Sequence, residues 1–332
     1  MDLVPVPSHS LSVGQLANEY AASNAFNDYK EKIAKNTLKR HRDDIALFSA
    51  FLKNVGMVKE NLLDDAAEWQ GITFGLLETF KRWQLEKGYA IASINAHIST
   101  VKVYAKLAMK AGVLTQQEYA LIKTVESYRH KEGRNVDEKR EVTRIGKKKA
   151  EAVFISPEQA KALKSGHPDT PQGRRDAFLM CLLLDHGLRC GEVAALTPKN
   201  LNLSEGTLVF YRQKVDKTQT HKLTGDTLLA AMRYLEVCKP KEYLLTGSRK
   251  GGKLEGRMSE RAITDRVRVL AERVDVKGLS AHDMRHMWAK NAIKNGTDIK
   301  SMQQAGGWSS SAMPLRYADD GKIANEGVKL SY

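Results

Sequence analysis

The residues of this chain best suited to chemistry lie within its last fifty or so positions. His282 and Arg285 belong to a His-Asp-Met-Arg run, which is followed by Gly-Gly-Trp at 306–308 and then by Tyr317. Arginine offers a planar fork that matches phosphate oxygens, and histidine can carry a proton near neutral pH. A tyrosine phenol, with an ordinary pKa of about 10, attacks phosphorus only when a base or a positive charge assists it. The set therefore predicts a site that holds one phosphodiester and presents a nucleophile to it.

His282 and Arg285 are three positions apart in a segment that is predicted to be helical. At this spacing two side chains project from one face of a helix, so both could contact a single anion. Alone the pair is weak evidence, because such pairs are common on helix surfaces. Arg189 is a second candidate, since it follows a glycine-containing break at the start of a predicted helix, where an anion is favoured. The alternative for Arg189 is a salt bridge with Glu192.

Lys214 and Lys217 lie between two predicted strands, where a flexible lysine could donate a proton to a departing alkoxide. Tyr317 also has competitors, because Tyr332 lies near the carboxyl end and Tyr211 lies beside the predicted hairpin. The sequence shows no cluster of carboxylates of the kind that two-metal nucleases use. A metal-independent reaction is therefore expected.

The second half of the chain is predicted to combine helices with one hairpin. It opens with Ser-Pro-Glu-Gln at 156–159, which supplies an N-cap, a proline at the first helical position and a capping-box glutamine. β-rich segments at 207–211 and 220–224 predict the hairpin. Further helices are predicted at 176–184, from 191, and at 226–237, 259–274 and 280–295.

The first part, to about residue 125, is predicted to be all-helical. The clearest helix begins at Ser93, where apolar residues recur on one face as far as Gly112. Two earlier helices are predicted, one capped by Asn36 and Thr37 and one ending at Gly88. Basic side chains on the other faces could follow DNA phosphates or could simply be solvated. They are Lys39, Arg40, Arg42, Lys102, Lys106 and Lys110.

Between these two parts the composition changes. Residues 132–149 hold almost no apolar side chains and end in Lys147, Lys148 and Lys149. Such a segment cannot build a core, so it is predicted to be an interdomain linker, which could lie along DNA or serve as a plain spacer. The fold predicted is mainly α with a small antiparallel β element (α+β). Its parts are a helical domain at 1–128, a basic linker at 129–150 and a second domain at 151–332.

The whole chain is strongly basic. Its 332 residues include 53 Lys and Arg against 39 Asp and Glu, which gives a formal net charge of +14. This excess favours a polyanionic partner, most simply nucleic acid rather than a membrane surface. The three cysteines, Cys181, Cys190 and Cys238, show neither disulfide nor zinc spacing, which is typical of a reducing cytoplasm. With no signal pattern and no long apolar run, we expect a soluble cytoplasmic protein without a membrane partner.

Taken in order, the candidate residues resemble those of the tyrosine recombinases, the phage-integrase superfamily. Four stretches of the second domain carry the resemblance: DHGLRCGEVAALTPKNLNL, YRQKVDKTQTHKL, LSAHDMRHMWA and AGGWSSSAMPLRYADD. Trp308 precedes Tyr317 by nine positions, as in the motif of the family. The resemblance implies a tyrosine-recombinase catalytic domain joined to a helical core-binding domain, the two forming a C-shaped clamp on DNA.

The resemblance also implies a role for each matched position. Arg189 and Arg285 would clamp the phosphate, and Glu192 would support the site structurally. His282 would transfer a proton, and Tyr317 would be the nucleophile. Lys214 would protonate the departing 5′-oxygen, with Lys217 as the competitor for that role. Three positions depart from the pattern of the family. Trp308 stands where most members have histidine, although its indole N–H can still donate to a phosphate oxygen. Gly306 replaces a commoner leucine, and Pro314 precedes Tyr317 where a helix usually runs.

By this resemblance the chain is expected to be a site-specific recombinase or integrase of bacterial, phage or mobile-element origin, associated with the nucleoid. It would cleave and rejoin DNA through a 3′-phosphotyrosyl intermediate and a Holliday junction, as a tetramer on two recombination sites, with no metal, ATP or other cofactor. The residues after Tyr317 would pack on a neighbouring protomer or form a frayed terminus. Accessory DNA-bending or directionality proteins are further candidate partners. Two rivals stay open: a type IB topoisomerase-like nicking-closing enzyme and a catalytically inactive DNA-binding relative.

Overall fold

A computed structural model describes residues 12–142, 152–249 and 252–318. The chain divides into two compact units, Met1–Lys148 and Lys149–Tyr332. Lys147, Lys148 and Lys149, predicted to contact DNA, lie outside the described residues, as does the tail that follows residue 318. The domain boundaries at 128 and 150 stay predictions.

The described part of the first unit is helical, as the sequence predicts. Its helices are α1 (Val13–Lys32), α2 (Lys35–Asn54), α3 (Phe74–Glu86), α4 (Ile91–Lys110), α5 (Gln116–Thr124) and α6 (His130–Lys139). The predicted cap of α2 is wrong: the N-cap is Ala34, which makes no side-chain hydrogen bond, and the helix already includes Asn36 and Thr37. Hydroxyl caps do begin α3, at Thr73, and α5, at Thr115.

An aromatic core holds the first unit together. Phe48, Phe80 and Trp69 are fully buried, and the Phe48 ring lies 5.0 Å from Phe80 and 6.2 Å from Trp69, between ring centroids. The Trp69 indole N–H is satisfied by donation to the Leu62 carbonyl oxygen at 2.8 Å. Helix α4 supplies the predicted apolar stripe, all of it buried: Ile94, Ile98, Val101, Ala105 and Ala108.

Helix α6 occupies much of the segment that the composition assigns to the linker. Its first turn is closed by the Arg129 N–H, which donates to Glu132 Oε2 at 2.9 Å. Gly133 lies so close to Ile91 that a Cβ there would approach the side chain to 3.0 Å. After the helix, Arg140 donates to the Tyr89 carbonyl oxygen at 2.9 Å. Polar contacts and one close backbone approach hold this helix to the first unit. The low apolar content of the segment therefore did not reveal that it packs there.

The second unit combines eight helices with two small antiparallel sheets among the described residues, so the predicted fold class is confirmed. One sheet has the order β1 (Leu201–Asn202), β2 (Thr207–Arg212), β3 (Lys217–Lys222), and the other pairs β4 (Thr246–Ser248) with β5 (Leu254–Arg257). The helices are α7 (Pro157–Ser165), α8 (Pro171–Leu184), α9 (Cys190–Ala195), α10 (Gly225–Val237), α11 (Glu260–Glu272), α12 (Ala281–Lys294), α13 (Ile299–Gly306) and α14 (Ala312–Ala318).

The predicted hairpin forms, but its second strand starts three residues earlier than the sequence suggests. Arg212 pairs with Lys217 at the loop end of β2 and β3, so Lys217 belongs to a strand and not to the loop. The loop is therefore limited to 213–216, with Asp216 in the left-handed region at φ 48°. Only Lys214 of the two candidate lysines is in that loop.

Helix α8 forms the centre of the second core. Its residues from Phe178 to Leu183 are all buried, including Cys181, the predicted small core residue. Helix α7 begins with the predicted capping box of Ser156 and Gln159. Across residues 12–142, 152–249 and 252–318 no helix combines the length and apolar character needed to span a bilayer.

Candidate functional site

Helix α12 places Arg285 at the centre of the candidate site. The helix begins at a capping box in which Asp283 Oδ2 accepts from the Ser280 backbone N–H at 2.7 Å. One turn on, Arg285 is 2% exposed and donates from Nη1 to the Gly187 carbonyl oxygen at 2.5 Å and from Nη2 to the Gly306 carbonyl oxygen. Two of its five N–H donors thus fix the guanidinium.

The two glycines that accept from Arg285 are required by close packing. A Cβ on Gly187 would lie 2.4 Å from the Trp288 ring, and a Cβ on Gly306 would lie 2.1 Å from the Trp308 ring. The Arg285 guanidinium carbon lies 4.8 Å from the centroid of Trp308 and 5.8 Å from that of Trp288. At these distances the aromatic faces attract the cation and hold its plane.

Arg189 is fixed by a carboxylate that it shares with a second arginine. It is the N-cap residue of α9, and both its backbone N–H and its Nη1 donate to Glu192, at 2.9 and 2.7 Å. The salt bridge that the sequence offered as the alternative role of Arg189 is therefore present. The Arg189 side chain remains 25% exposed, so the bridge leaves it accessible to a ligand.

Arg212 is the second partner of Glu192, and sequence reasoning missed it. It is fully buried, donates from Nη1 to both Glu192 oxygens at 3.0 and 2.9 Å, and donates from Nη2 to the Ala305 carbonyl oxygen at 2.7 Å. Its Nε also donates to Gln219 Oε1. The signal that could have identified Arg212 is the alternation of buried and exposed residues along β2, in which Leu208, Phe210 and Arg212 are buried.

The arginines give this site an excess of positive charge. Burial, together with the charges of Arg189 and Arg212, lowers the pKa of Arg285 to about 9. Arg285 is still protonated at neutral pH, but the neighbouring cations repel it, while Glu192 and Tyr317 act to raise its pKa. An anion placed among these side chains would relieve that repulsion, which is the electrostatic requirement of a phosphate site.

His282 lies at the exposed edge of the same cluster. Partial desolvation lowers its pKa, and the charges of Arg285, Arg189 and Lys214 lower it further, while Asp283 opposes them. The effect of Lys214 on His282 indicates that the hairpin loop approaches the cluster. His282 is thus neutral at physiological pH and able to accept or pass on a proton.

Tyr317 is buried in the same group of residues. It lies on α14 at 5% exposure and packs with Ala289 and Met302 in a small apolar cluster. Its ring centroid is 5.8 Å from that of Trp308 and 5.2 Å from that of His286. Burial raises the pKa of the phenol, while the charges of Arg285, Arg316 and Arg189 act to lower it. The nucleophile candidate and both predicted clamp arginines therefore lie within electrostatic reach of one another.

Pro314 does not disturb the helix of Tyr317. Helix α14 begins at Ala312, so Pro314 lies in its first turn, where backbone N–H groups lack an intrahelical partner in any case. Of the competing tyrosines, Tyr211 is 51% exposed and donates to Asp216 Oδ1 at 2.6 Å, at the tip of the hairpin. Tyr332 lies outside the described residues.

The basic residues predicted to contact DNA in the first unit fall into two groups. Lys39, Arg40, Arg42 and Lys106 are exposed. Lys102 is half-buried and donates to the carbonyl oxygens of Lys123, at 3.1 Å, and Val125. Burial and the nearby Lys81 lower its pKa. Lys102 therefore secures the end of α5, a structural role that the sequence did not indicate.

The described portions of the chain contain no group of three or more His, Cys, Asp or Glu side chains that could hold a metal ion. His186, which precedes Gly187, is buried at 3% exposure and bonds to Thr227 Oγ1 at 3.2 Å. It contributes to the core and not to the cluster around Arg285.

Comparison with known proteins relates both units to one family. Residues 153–322 match the phage integrase family and residues 19–127 match the phage integrase SAM-like domain. Tyrosine recombinase XerD of Pseudomonas aeruginosa is 23% identical over 281 residues, 82% of this chain and 82% of the relative. XerD of Xanthomonas axonopodis is 23% identical over 295 residues, 85% and 86% of the two chains.

Solved structures share the fold. A lambda integrase (75–356) dimer bound to a COC′ core site gives a TM-score of 0.62 at 14% identity, covering 97% of this chain and 99% of that one. The Tn1549 transposon integrase in complex with a circular intermediate DNA gives a TM-score of 0.62 at 14% identity, covering 91% and 96%. At such identities the likeness concerns the fold alone.

Proposed function

Because the chain belongs to the phage integrase family of tyrosine recombinases, which catalyse site-specific DNA recombination, we propose that Tyr317 is the residue through which it cleaves and rejoins DNA. The observation that carries this proposal is the group formed within one chain by Tyr317, Trp308 and Arg285. The substrate proposed is double-stranded DNA, in keeping with the basic charge of the chain and with the DNA-bound relatives of the same fold.

In the cleavage step, the Tyr317 phenolic oxygen forms a bond to phosphorus and the bond from phosphorus to the 5′-oxygen breaks. The phenolic proton passes to His282, which is neutral and so can accept it. Lys214 donates a proton to the departing 5′-oxygen. The products are a 3′-phosphotyrosyl bond and a free 5′-hydroxyl, and attack by the 5′-hydroxyl of another strand reverses the step. The bond energy is retained in the covalent intermediate.

Arg189 and Arg285 are the proposed clamp on the scissile phosphate. Both guanidinium groups are oriented before DNA arrives, Arg189 by Glu192 and Arg285 by two backbone carbonyls. Donors fixed in advance stabilise the charge of a five-coordinate transition state without reorganising during the reaction. The lowered pKa of Arg285 supports this role. A negative charge that develops on the phosphate in the transition state would favour the protonated guanidinium and so raise this pKa again.

The assembly proposed is a tetramer on two recombination sites that exchanges strands through a Holliday junction. In it the residues after 318 pack on a neighbouring protomer, and accessory DNA-bending or directionality proteins set the outcome. The dimer of lambda integrase on its core site supports assembly on DNA for a protein of this fold.

Covalent trapping tests the proposal without knowledge of the target site. A library of nicked duplexes with randomised sequence is incubated with the protein, and DNA that stays attached in SDS is recovered and sequenced. We expect the wild-type chain to select a defined site, Tyr317→Phe to give no adduct, and Tyr211→Phe to behave like wild type. An adduct that persists in Tyr317→Phe would contradict the assignment.

A supercoiled plasmid that carries two copies of the selected site distinguishes site-specific recombination from the activity of a type IB topoisomerase-like nicking-closing enzyme. A recombinase yields resolved or inverted products from the two copies. A nicking-closing enzyme relaxes the plasmid and leaves the order of its segments unchanged.

A further inference from the structure

A second histidine lies between His282 and Tyr317. His286 is one helical turn after His282 on α12, and the two Nε2 atoms are 3.0 Å apart. The rings meet edge to face, with centroids 4.5 Å apart at 89°. On its other side the His286 ring meets that of Tyr317 edge to face, at 5.2 Å and 72°. One imidazole thus contacts both the proposed proton carrier and the proposed nucleophile.

A separation of 3.0 Å between two imidazole nitrogens has a simple chemical consequence. One nitrogen must carry the hydrogen and the other must offer its lone pair, since two N–H groups or two lone pairs would repel each other. Only the arrangement in which His282 Nε2–H donates to His286 Nε2 leaves a lone pair on His282, at Nδ1, that can accept another proton. Partial burial lowers the pKa of both rings, in keeping with a pair of neutral imidazoles.

We propose that His286 is a positioning residue for strand cleavage, which sets the tautomer of His282 through the hydrogen bond between the two Nε2 atoms and holds the ring of Tyr317 by its edge. This inference rests on the proposed function of Tyr317 and His282. His286 exchanges no proton with the DNA. It prepares His282 to accept the phenolic proton and keeps the phenol from turning away from the phosphate.

Three substitutions separate the effect of His286 on the tautomer of His282 from its contact with the ring of Tyr317. His286→Phe keeps an aromatic ring against Tyr317 and removes both nitrogens. His286→Gln places an amide near the former Nε2 without the ring, whereas His286→Asn is too short for its amide to reach that position. Comparison of Gln with Asn therefore tests the hydrogen bond at equal polarity.

The first readout is the single-turnover rate of covalent adduct formation on the selected nicked duplex, at saturating protein. We expect His286→Phe and His286→Asn to slow this rate roughly ten- to a hundredfold, less than the loss of a group that itself transfers a proton. His286→Gln should recover much of the rate, and the affinity for uncleaved DNA should be unchanged in all three. Equal rates for Gln and Asn, or a wild-type rate for Phe, would overturn the proposal.

The second readout does not depend on catalysis. Nitrogen-15 NMR of the histidine side chains reports which nitrogen of His282 carries the proton. We expect one dominant tautomer of His282 in the wild-type chain and in His286→Gln, and a mixture in His286→Phe. An unchanged His282 spectrum in His286→Phe would contradict the inference even if a variant lost activity through poor folding.

The two readouts keep this inference distinct from the proposed function. If Tyr317→Phe still forms an adduct, the assignment of the nucleophile fails whatever the variants of His286 do. If Tyr317→Phe forms none and the variants of His286 match the wild type in rate and spectrum, only the role of His286 fails.

Discussion

At the scale of single residues, the arginines of the site are held by hydrogen bonds within the second unit. Glu192 joins Arg189 to Arg212, and Arg212 continues to the Ala305 carbonyl at the end of α13. The sequence was sufficient to nominate Arg189 as a candidate, because a helix start favours an anion, with a salt bridge to Glu192 as the alternative. It was not sufficient for Arg212, whose importance comes from contacts between residues that are distant in the chain.

The choice between Lys214 and Lys217 is a prediction at this scale. Lys214 lies in the hairpin loop and its charge acts on His282, whereas Lys217 is paired in β3. We expect Lys214→Ala to slow adduct formation about 10²-fold or more, the usual loss for a general acid. Lys217→Ala should stay near the wild-type rate.

The check on this prediction is a DNA with sulfur in place of the bridging 5′-oxygen. Because a thiolate departs without protonation, this substrate should restore the rate of Lys214→Ala. A larger loss in Lys217→Ala, together with its rescue by sulfur, would reverse the assignment.

His186 gives a prediction about pH. Burial lowers its pKa to about 4, so the folded protein keeps this ring neutral while the unfolded chain protonates it below its ordinary pKa of about 6.5. The unfolded state therefore binds more protons between these values, and stability falls as the pH is lowered through that window. For this one residue the loss between pH 7 and pH 5 is about 2 kcal/mol.

Native-state hydrogen exchange of the amides of α8 measures this pH effect at the two pH values. His186→Gln, which can still bond to Thr227, should reduce the decrease in protection between pH 7 and pH 5. His130→Gln, at an exposed position of the first unit, should leave it unchanged. Identical decreases in wild type and His186→Gln would contradict the assignment of a neutral buried ring.

At the scale of elements, the end of α13 connects the arginine cluster with the tyrosine helix. The helix ends at Gly306, the C-cap residue Gly307 has a left-handed backbone at φ 59°, and Trp308 follows at once. A Cβ on Gly307 would approach Arg212 Cδ to 2.4 Å. Gly307 therefore provides both the helix stop and the space that Arg212 needs to reach Ala305.

Two glycine substitutions separate these effects. Gly296 also follows a helix, at φ 85°, but no heavy atom lies within 4 Å of its ideal Cβ. We expect Gly296→Ala to cost about 1 kcal/mol, from the left-handed backbone alone. Gly307→Ala should cost roughly 2–4 kcal/mol, since Arg212 must also move. Urea unfolding measures both, and equal costs would show that Arg212 is not confined by Gly307.

The elements also show where sequence reasoning was sufficient. Helices α4, α7 and α12 carry strong periodicity or capping boxes, and each forms where it was predicted. The first strand residues of β3 are polar and mostly exposed, so they give no apolar signal, and backbone pairing with β2 alone determines them. The role of His286 also went unpredicted, because its contact with Tyr317 depends on how α14 packs against α12.

At the scale of the whole molecule, the net charge of +14 dominates interaction with a polyanion. The exposed cations Lys39 and Arg42 are three positions apart on one face of α2, a spacing suited to neighbouring phosphates. Such contacts raise the affinity for DNA because they release counterions from its phosphates. Their effect is therefore seen in the salt dependence of binding and not in a preference for one DNA sequence.

We therefore expect the double substitution Lys39→Gln with Arg42→Gln to lower the slope of log affinity against log salt by about 2. The matched control, Arg82→Gln with Lys87→Gln, removes the same charge from exposed positions of α3 and the residue after it. The control should change the slope by much less. Equal changes would mean that only the net charge matters and that α2 has no special contact with DNA.

Identification of the amino acid that carries the DNA tests whether Tyr317 is the nucleophile. After trapping, the adduct is trimmed with nuclease and digested with trypsin, which releases Tyr317 in the peptide 317–322, Tyr211 in 200–212 and Tyr332 in 330–332. If Tyr317 is the nucleophile, the tyrosine of peptide 317–322 carries the nucleotide. A nucleotide on either of the other two peptides, or on a serine, would contradict this assignment.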